Sequence, residues 1–157
     1  PAGRTNDPRH IWFVPDSQGR LRNLHLFRDT EWCRDLVLLI TETTPASYRE
    51  YLAERQYDYI VAGRDRVDLS IALEEIKRRY GVNVIRVDSG GDLVAAMLKA
   101  GLVDEISLLL APVLAGADQR RMFRSLDSGA GPISLEPRSV EQLPGGLLHL
   151  RYAVLRV

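Results

Sequence analysis

The run VIRVDSGGDLVAAMLKAGLVDEISLLLAPVLAG, residues 84–116, decides how the rest of the chain is read. Its first part belongs to VNVIRVDS (82–89), a branched apolar stretch that predicts a β-strand. Two glycines, Gly90 and Gly91, then open a stretch in which Leu93, Ala96, Met97 and Ala100 recur at helical spacing, and Gly101 closes it. EISLLLAPVLAG (105–116) predicts another strand, with Pro112 interrupting its ladder. The strand-to-helix turn DSGGD (88–92) is the most specific feature. Glycines lack Cβ, so the backbone there can approach a ligand closely, and the helix directs free N–H groups and its positive dipole end at the same place. That chemistry suits a phosphate or pyrophosphate. The alternative reading is a turn that only needs a positive φ.

Working outward, the same alternation recurs. HIWFVPD (10–16), LVLLITE (36–42) and YDYIVAG (57–63) predict strands. Thr44 and Pro45 predict the cap and first position of a helix, and Asp68 caps a second. In that second helix Leu69, Ala72, Leu73, Ile76 and Tyr80 form one apolar face, and Gly81 ends it. The C-terminal ISLEPRSVEQLPGGLLHLRYAVLRV predicts two strands joined at Pro144-Gly145-Gly146. Strand and helix alternating, then a terminal hairpin, imply a three-layer α/β/α domain with a mostly parallel sheet and an antiparallel C-terminal hairpin.

Composition sets the outer limits. With 157 residues the chain suits one domain, and 21 basic against 21 acidic residues leave no bulk charge to attract nucleic acid. Apolar runs such as LVLLI fall short of the ~20 residues that span a bilayer. The single Cys33 closes no internal disulfide, and no Cys/His set has metal-ligand spacing. The expectation is a cytoplasmic protein with a small-molecule partner, no metal, and neither a membrane nor a nucleic-acid partner.

Ligands of open α/β sheets bind beyond the carboxyl ends of the strands. Besides DSGGD, this selects PDSQGR (15–20) and AGRDRVD (62–68). Asp88 ends a strand and can accept hydrogen bonds from a substrate or anchor a loop. Asp92 sits where the helix dipole favours an acid, as a first-turn residue or as a ligand contact. The Ser17 hydroxyl can donate to a phosphate or close a turn. Arg64 and Arg66 offer guanidinium forks to a further phosphate. His10, His25 and His149 are scattered, and no Ser-His-Asp or Cys-His spacing stands out.

Asp88, Gly90-Gly91, AGLVDE (100–105) and the apolar strand ending Ala111-Pro112…Gly116 resemble the pyrimidine reductase domain of riboflavin biosynthesis, a dihydrofolate-reductase-like family. FVPDSQGRL, GRDRVDL, TNDPR and the closing hairpin extend the resemblance over nearly the whole chain. It implies a homodimeric NADPH-dependent reductase that converts the ribosylamino side chain of a pyrimidine 5′-phosphate to ribitylamino. On that template Ser17, Gly90, Gly91, Asp92, Leu93 and Val94 line NADPH, together with Thr5 and Asn6, and Asp88 contacts substrate. Two alternatives stand beside it: a dihydrofolate-reductase-like oxidoreductase with another substrate, and a non-catalytic nucleotide-binding module. The family's usual Glu-Gly-Gly-Gly-Thr-Leu reads Asp-Ser-Gly-Gly-Asp-Leu here, which retracts one carboxylate and puts another near the pyrophosphate. The family's first strand and helix, with an S-x-D-G segment, have no counterpart in these residues. Residues 1–157 are therefore expected to form a single reductase-like domain without, or not showing, that N-terminal strand and helix.

Overall fold

A computed structural model describes residues 9–114, 116 and 131–155. The chain divides into two compact units, Pro1–Ile85 and Arg86–Val157. In the first unit the strands β1 (His10–Pro15), β2 (Cys33–Ile40) and β3 (Asp58–Val61) form a parallel sheet in the order β1-β2-β3. Leu36 to Ile40 of β2 are all buried, because a central parallel strand is covered on both faces. The period of two then sends alternate residues to two different cores. Leu36, Leu38 and Ile40 pack with Leu24, Tyr48 and Leu52, whereas Val37 and Leu39 pack with Ile60, Ala72, Ile76 and Tyr80.

The first core lies under α1 (His25–Arg28) and α2 (Ala46–Glu54), and the second under α3 (Leu69–Tyr80). Asp68 caps α3 as expected, accepting N–H bonds from Ser70 and Ile71, and Gly81 ends it in the left-handed region. Thr44 does not cap α2. Its hydroxyl accepts the Thr41 N–H at 2.9 Å and donates to the Ser17 carbonyl at 2.8 Å, so Pro45 occupies the cap position without a side-chain bond.

In the second unit α4 (Gly91–Lys99) precedes an antiparallel sheet in which β6 (Leu147–Val154) lies between β4 (Glu105–Leu110) and β5 (Leu135–Leu143). The expected C-terminal hairpin is β5 and β6, joined at Pro144–Gly146. The ladder of β4 ends before Pro112, as its missing N–H requires.

Two local expectations are corrected. Residues 82–89 carry a strand's apolar pattern but form no strand, and Val84 is 85% exposed. Neither three-stranded order gives them a neighbour, and a strand without a partner leaves its backbone N–H and C=O groups to solvent. The apolar face of α4 is also turned from its expected position. Ala95, Met97 and Leu98 are buried, while Ala96 and Ala100 are exposed. Alanine counts weakly in a periodicity, so Leu98 rather than Ala96 defines the buried stripe.

Candidate functional site

In the first unit the carboxyl ends of β1, β2 and β3 come together as one hydrogen-bonded cluster. β1 continues into Asp16, which is buried, and whose carboxylate accepts the backbone N–H groups of Arg20 and Leu21 at 3.0 and 2.9 Å. The turn this closes brings Gly19 against the Tyr48 ring at φ +63°. A Cβ there would stand 2.7 Å from a ring carbon, so the position admits only glycine. Burial pushes the Tyr48 phenol well above its ordinary value, and the Asp16 carboxylate adds to the shift. The Tyr48 hydroxyl has no well-formed hydrogen bond of its own.

Ser17 follows as the first residue past the buried carboxylate. Its Oγ accepts the Val67 N–H at 3.1 Å, which leaves the hydroxyl proton available to donate. Its carbonyl accepts from the Thr44 and Thr41 hydroxyls at 2.8 and 3.3 Å. The Thr43 hydroxyl reaches the Arg64 carbonyl at 3.0 Å, and Arg49 binds the carbonyls of Thr41 and Glu42 at 3.0 and 2.7 Å. Gly63, at φ +82°, turns the loop after β3 so sharply that a Cβ would lie 2.4 Å from the Arg66 carbonyl. Through these bonds Ser17, Thr41–Thr44 and Gly63–Val67 hold one another, with the side chains of Arg64 and Arg66 exposed at the rim.

The threonines are what the sequence reading missed. A polar TETT directly after five buried apolar residues marks a strand end that must satisfy its own hydroxyls. That contrast was the available signal.

The second unit carries the Gly-Gly turn. Gly90 is the N-cap of α4 at φ −62° and ψ 160°, with no side-chain cap, and Gly91 is the first helical residue. Positive φ therefore does not explain these glycines. A Cβ built on Gly90 meets nothing within 4 Å, so no contact among the described residues requires its absence either. What remains is an uncapped helix start that a ligand can reach. Asp92 is exposed in the first helical turn, and Gly91, Leu93 and Val94 are half-buried. Asp88 is 66% exposed on its side chain and pairs with Arg86 at 2.5 Å. This pairing raises the guanidinium pKa of Arg86. Thr5 and Asn6 lie outside the described residues.

Among the described residues no group of His, Cys, Asp and Glu is placed to hold a metal, and no helix is long and apolar enough to cross a membrane. His149 takes part in a cross-strand pair with Ser107 at 2.8 Å on the β4–β6 ladder. Cys33 is buried, and burial raises its thiol pKa, which keeps it in the unreactive form.

Comparison with known proteins follows the same outline. The RibD C-terminal domain matches residues 2–149. The 2,5-diamino-6-ribosylamino-4(3H)-pyrimidinone 5′-phosphate reductase of Archaeoglobus fulgidus is 39% identical over 110 residues, covering 70% of this chain and 48% of that protein. The reductase of the same name from Methanothermobacter thermautotrophicus is 32% identical over 103 residues, covering 64% of this chain and 47% of its own. The chain thus spans about half the length of the curated relatives it matches. Among solved structures, a pyrimidine reductase-like protein from Corynebacterium diphtheriae superposes with a TM-score of 0.74 at 21% identity, covering 96% of this chain and 62% of that one. RibD of Acinetobacter baumannii gives 0.71 at 23% identity, with 91% and 37% covered. At those identities the likeness is one of fold.

Proposed function

Because the chain belongs to the RibD C-terminal domain family, we propose that it is a reductase of riboflavin biosynthesis. In this reading it uses NADPH to convert the ribosylamino side chain of a pyrimidine 5′-phosphate to ribitylamino. It acts as a homodimeric, cytoplasmic enzyme, with residues 1–157 as one reductase-like domain. The observation that carries the reading is the match over residues 2–149, which includes an uncapped helix start at Gly90-Gly91 with open space around it.

That turn suits the cofactor's pyrophosphate. Backbone N–H groups at the start of α4 supply donors, the dipole supplies positive potential, and the missing Cβ atoms permit close approach. Leu93 and Val94 follow on the same turn as apolar contacts, and Thr5 and Asn6 complete the proposed cofactor residues. The Ser17 hydroxyl, held by Val67, retains a proton for a phosphate oxygen. Asp92 opposes this with a negative charge, so affinity rests on the backbone donors outweighing one solvated carboxylate. When bound, the cofactor supplies a hydride to C1′ of the opened ribose. The chain's contribution is orientation and proximity. Asp88 accepts hydrogen bonds from the substrate, for which it must exchange its surface pairing with Arg86. Such a solvent-exposed pair is weak, so the exchange is inexpensive.

One observation favours the second reading, a reductase of the same fold acting on another substrate. Asp88 is shorter than the family's glutamate and already engaged by Arg86. The test is NADPH consumption on adding the ribosylaminopyrimidine phosphate, with the product followed by mass. Turnover to a product two hydrogens heavier is expected. NADPH binding without turnover would leave the second reading or a non-catalytic module, and absence of nicotinamide binding would overturn both reductase readings.

A further inference from the structure

The polar cluster at the carboxyl ends of β1, β2 and β3 converges on one residue. The Ser17 carbonyl accepts the Thr44 hydroxyl at 2.8 Å and the Thr41 hydroxyl at 3.3 Å, and its Oγ accepts the Val67 N–H at 3.1 Å. These partners lie 27, 24 and 50 residues along the chain, so Ser17 is gripped by the end of β2 and by the loop after β3 at once.

Thr41 and Thr44 are 0% and 3% exposed. Hydroxyls so deeply buried must find partners inside the protein. The Thr44 hydroxyl accepts the Thr41 N–H at 2.9 Å, and the Thr44 N–H returns to the Thr41 carbonyl at 3.2 Å, which closes a reciprocal turn. Arg49 of α2 donates to the Thr41 and Glu42 carbonyls and ties that turn to the helix. On the other side Val67 packs against the second core, so the N–H it offers to Ser17 comes from anchored backbone.

Thr44 is also engaged where its place in the chain does not require it. It directly precedes Pro45, where a threonine ordinarily caps a helix, yet α2 has no side-chain cap. A lone pair that could serve the helix goes back to Thr41, and the proton goes to Ser17. The helix start thus forgoes a cap while the Ser17 carbonyl receives two hydroxyl donors. With its carbonyl held from β2 and its Oγ held by Val67, Ser17 keeps one O–H bond to direct. A donor held in this way loses little freedom on meeting an anionic oxygen, so more of the bond appears as affinity.

We infer that Thr44 is a positioning residue for cofactor binding: by holding the Ser17 carbonyl it sets the Ser17 hydroxyl toward a phosphate oxygen of NADPH. This role rests on the reading of Ser17 as a cofactor contact. Thr41 supports the same carbonyl through the longer bond and contributes less.

The test measures NADPH dissociation constants of the intact protein by fluorescence titration, with urea unfolding of each variant. Ser17→Ala should weaken binding about tenfold, as the loss of one hydrogen bond to a charged oxygen. Thr44→Val has the same shape without the hydroxyl and should weaken it roughly threefold or more, whereas Thr44→Ser should come within about twofold of the unaltered protein. In the Ser17→Ala background Thr44→Val should add less than about twofold, because a residue that acts through another is not additive with it. Ile76→Val lowers stability from the second core and should leave affinity unchanged, which separates positioning from general loss of stability. Equal NADPH affinity in Thr44→Val, an undiminished Thr44→Val effect in the Ser17→Ala background, or a like loss in Ile76→Val would each overturn this role. If Thr44→Val does not fold, Thr41→Val decides in the same two backgrounds, since it removes one bond to the Ser17 carbonyl and leaves the Thr41 N–H bonded. Normal NADPH binding by Ser17→Ala would overturn the role and leave the reductase reading standing. No NADPH binding by the unaltered protein would bring down both.

Discussion

The carboxyl ends of β1, β2 and β3 and the start of α4 are the two candidate ligand sites, yet they are built in opposite ways. In the first, Asp16, Ser17, Thr41, Thr44 and the Gly63 loop satisfy one another, and glycine is required because neighbouring atoms leave no room for a Cβ. In the second, Gly90 has ordinary φ, no cap and, among the described residues, open space around it. The same residue type thus serves close internal packing in one unit, and in the other stands exposed with no described atom near its missing Cβ. A substitution should therefore cost stability in the first region and ligand affinity in the second.

The largest expected effect comes from Gly63→Ala. It forces a positive φ on a residue with Cβ and drives that atom into a backbone carbonyl, so unfolding in urea should show a loss of about 2–4 kcal/mol. A loss below about 0.5 kcal/mol would mean the loop is as open as the Gly90 turn. Thr44→Val comes next. It strands the buried Thr41 N–H and leaves the Ser17 carbonyl only the longer bond from the Thr41 hydroxyl, and should cost ~1–3 kcal/mol in the same assay without abolishing folding.

Acid titration sharpens the contrast from a different corner of the first unit. At Asp58 burial acts to raise the pKa, but hydrogen bonds from Tyr80 and Arg79 outweigh it and hold the carboxyl below its ordinary value. A depressed folded-state pKa contributes stability above the ordinary carboxylate range, lost as pH falls through the lower folded value. The group is over a third exposed, so the contribution after solvent screening is under about 1 kcal/mol. Asp58→Asn should flatten that part of the acid branch of the stability curve. An unchanged branch would assign the acid sensitivity to other carboxylates. Asp92→Asn should have the smallest effect on stability, within ~0.5 kcal/mol, while tightening NADPH a few-fold by removing a charge near the pyrophosphate. Weaker binding in this variant would make Asp92 a ligand rather than a liability.

Much of this architecture can be read directly from local pattern. The unbroken LVLLI run (36–40), bounded by turn residues, reads as a strand, and Asp68 with Gly81 brackets α3 because cap chemistry is local. VNVIRV reads as a strand but is not one, since pairing depends on a neighbour that periodicity does not report. The Thr44 hydroxyl looks like a cap until the fold places the Ser17 carbonyl beside it. The Arg22 guanidinium 4.8 Å from the Tyr48 and Tyr51 ring centroids was invisible for the same reason, because a guanidinium over a ring is a tertiary juxtaposition between the β1–β2 connection and α2. Of the candidate site, the Gly-Gly turn was legible and the threonine cluster that holds Ser17 was not.

In the proposed function, Gly90-Gly91 is open because a nicotinamide cofactor occupies it. The most direct measurement is the NADPH dissociation constant of Gly90→Val beside that of the unaltered protein, with thermal unfolding of both. The account predicts affinity weakened more than about tenfold with stability changed by less than about 1 kcal/mol, because the added side chain meets cofactor and not protein. Equal affinity in the two proteins would contradict it.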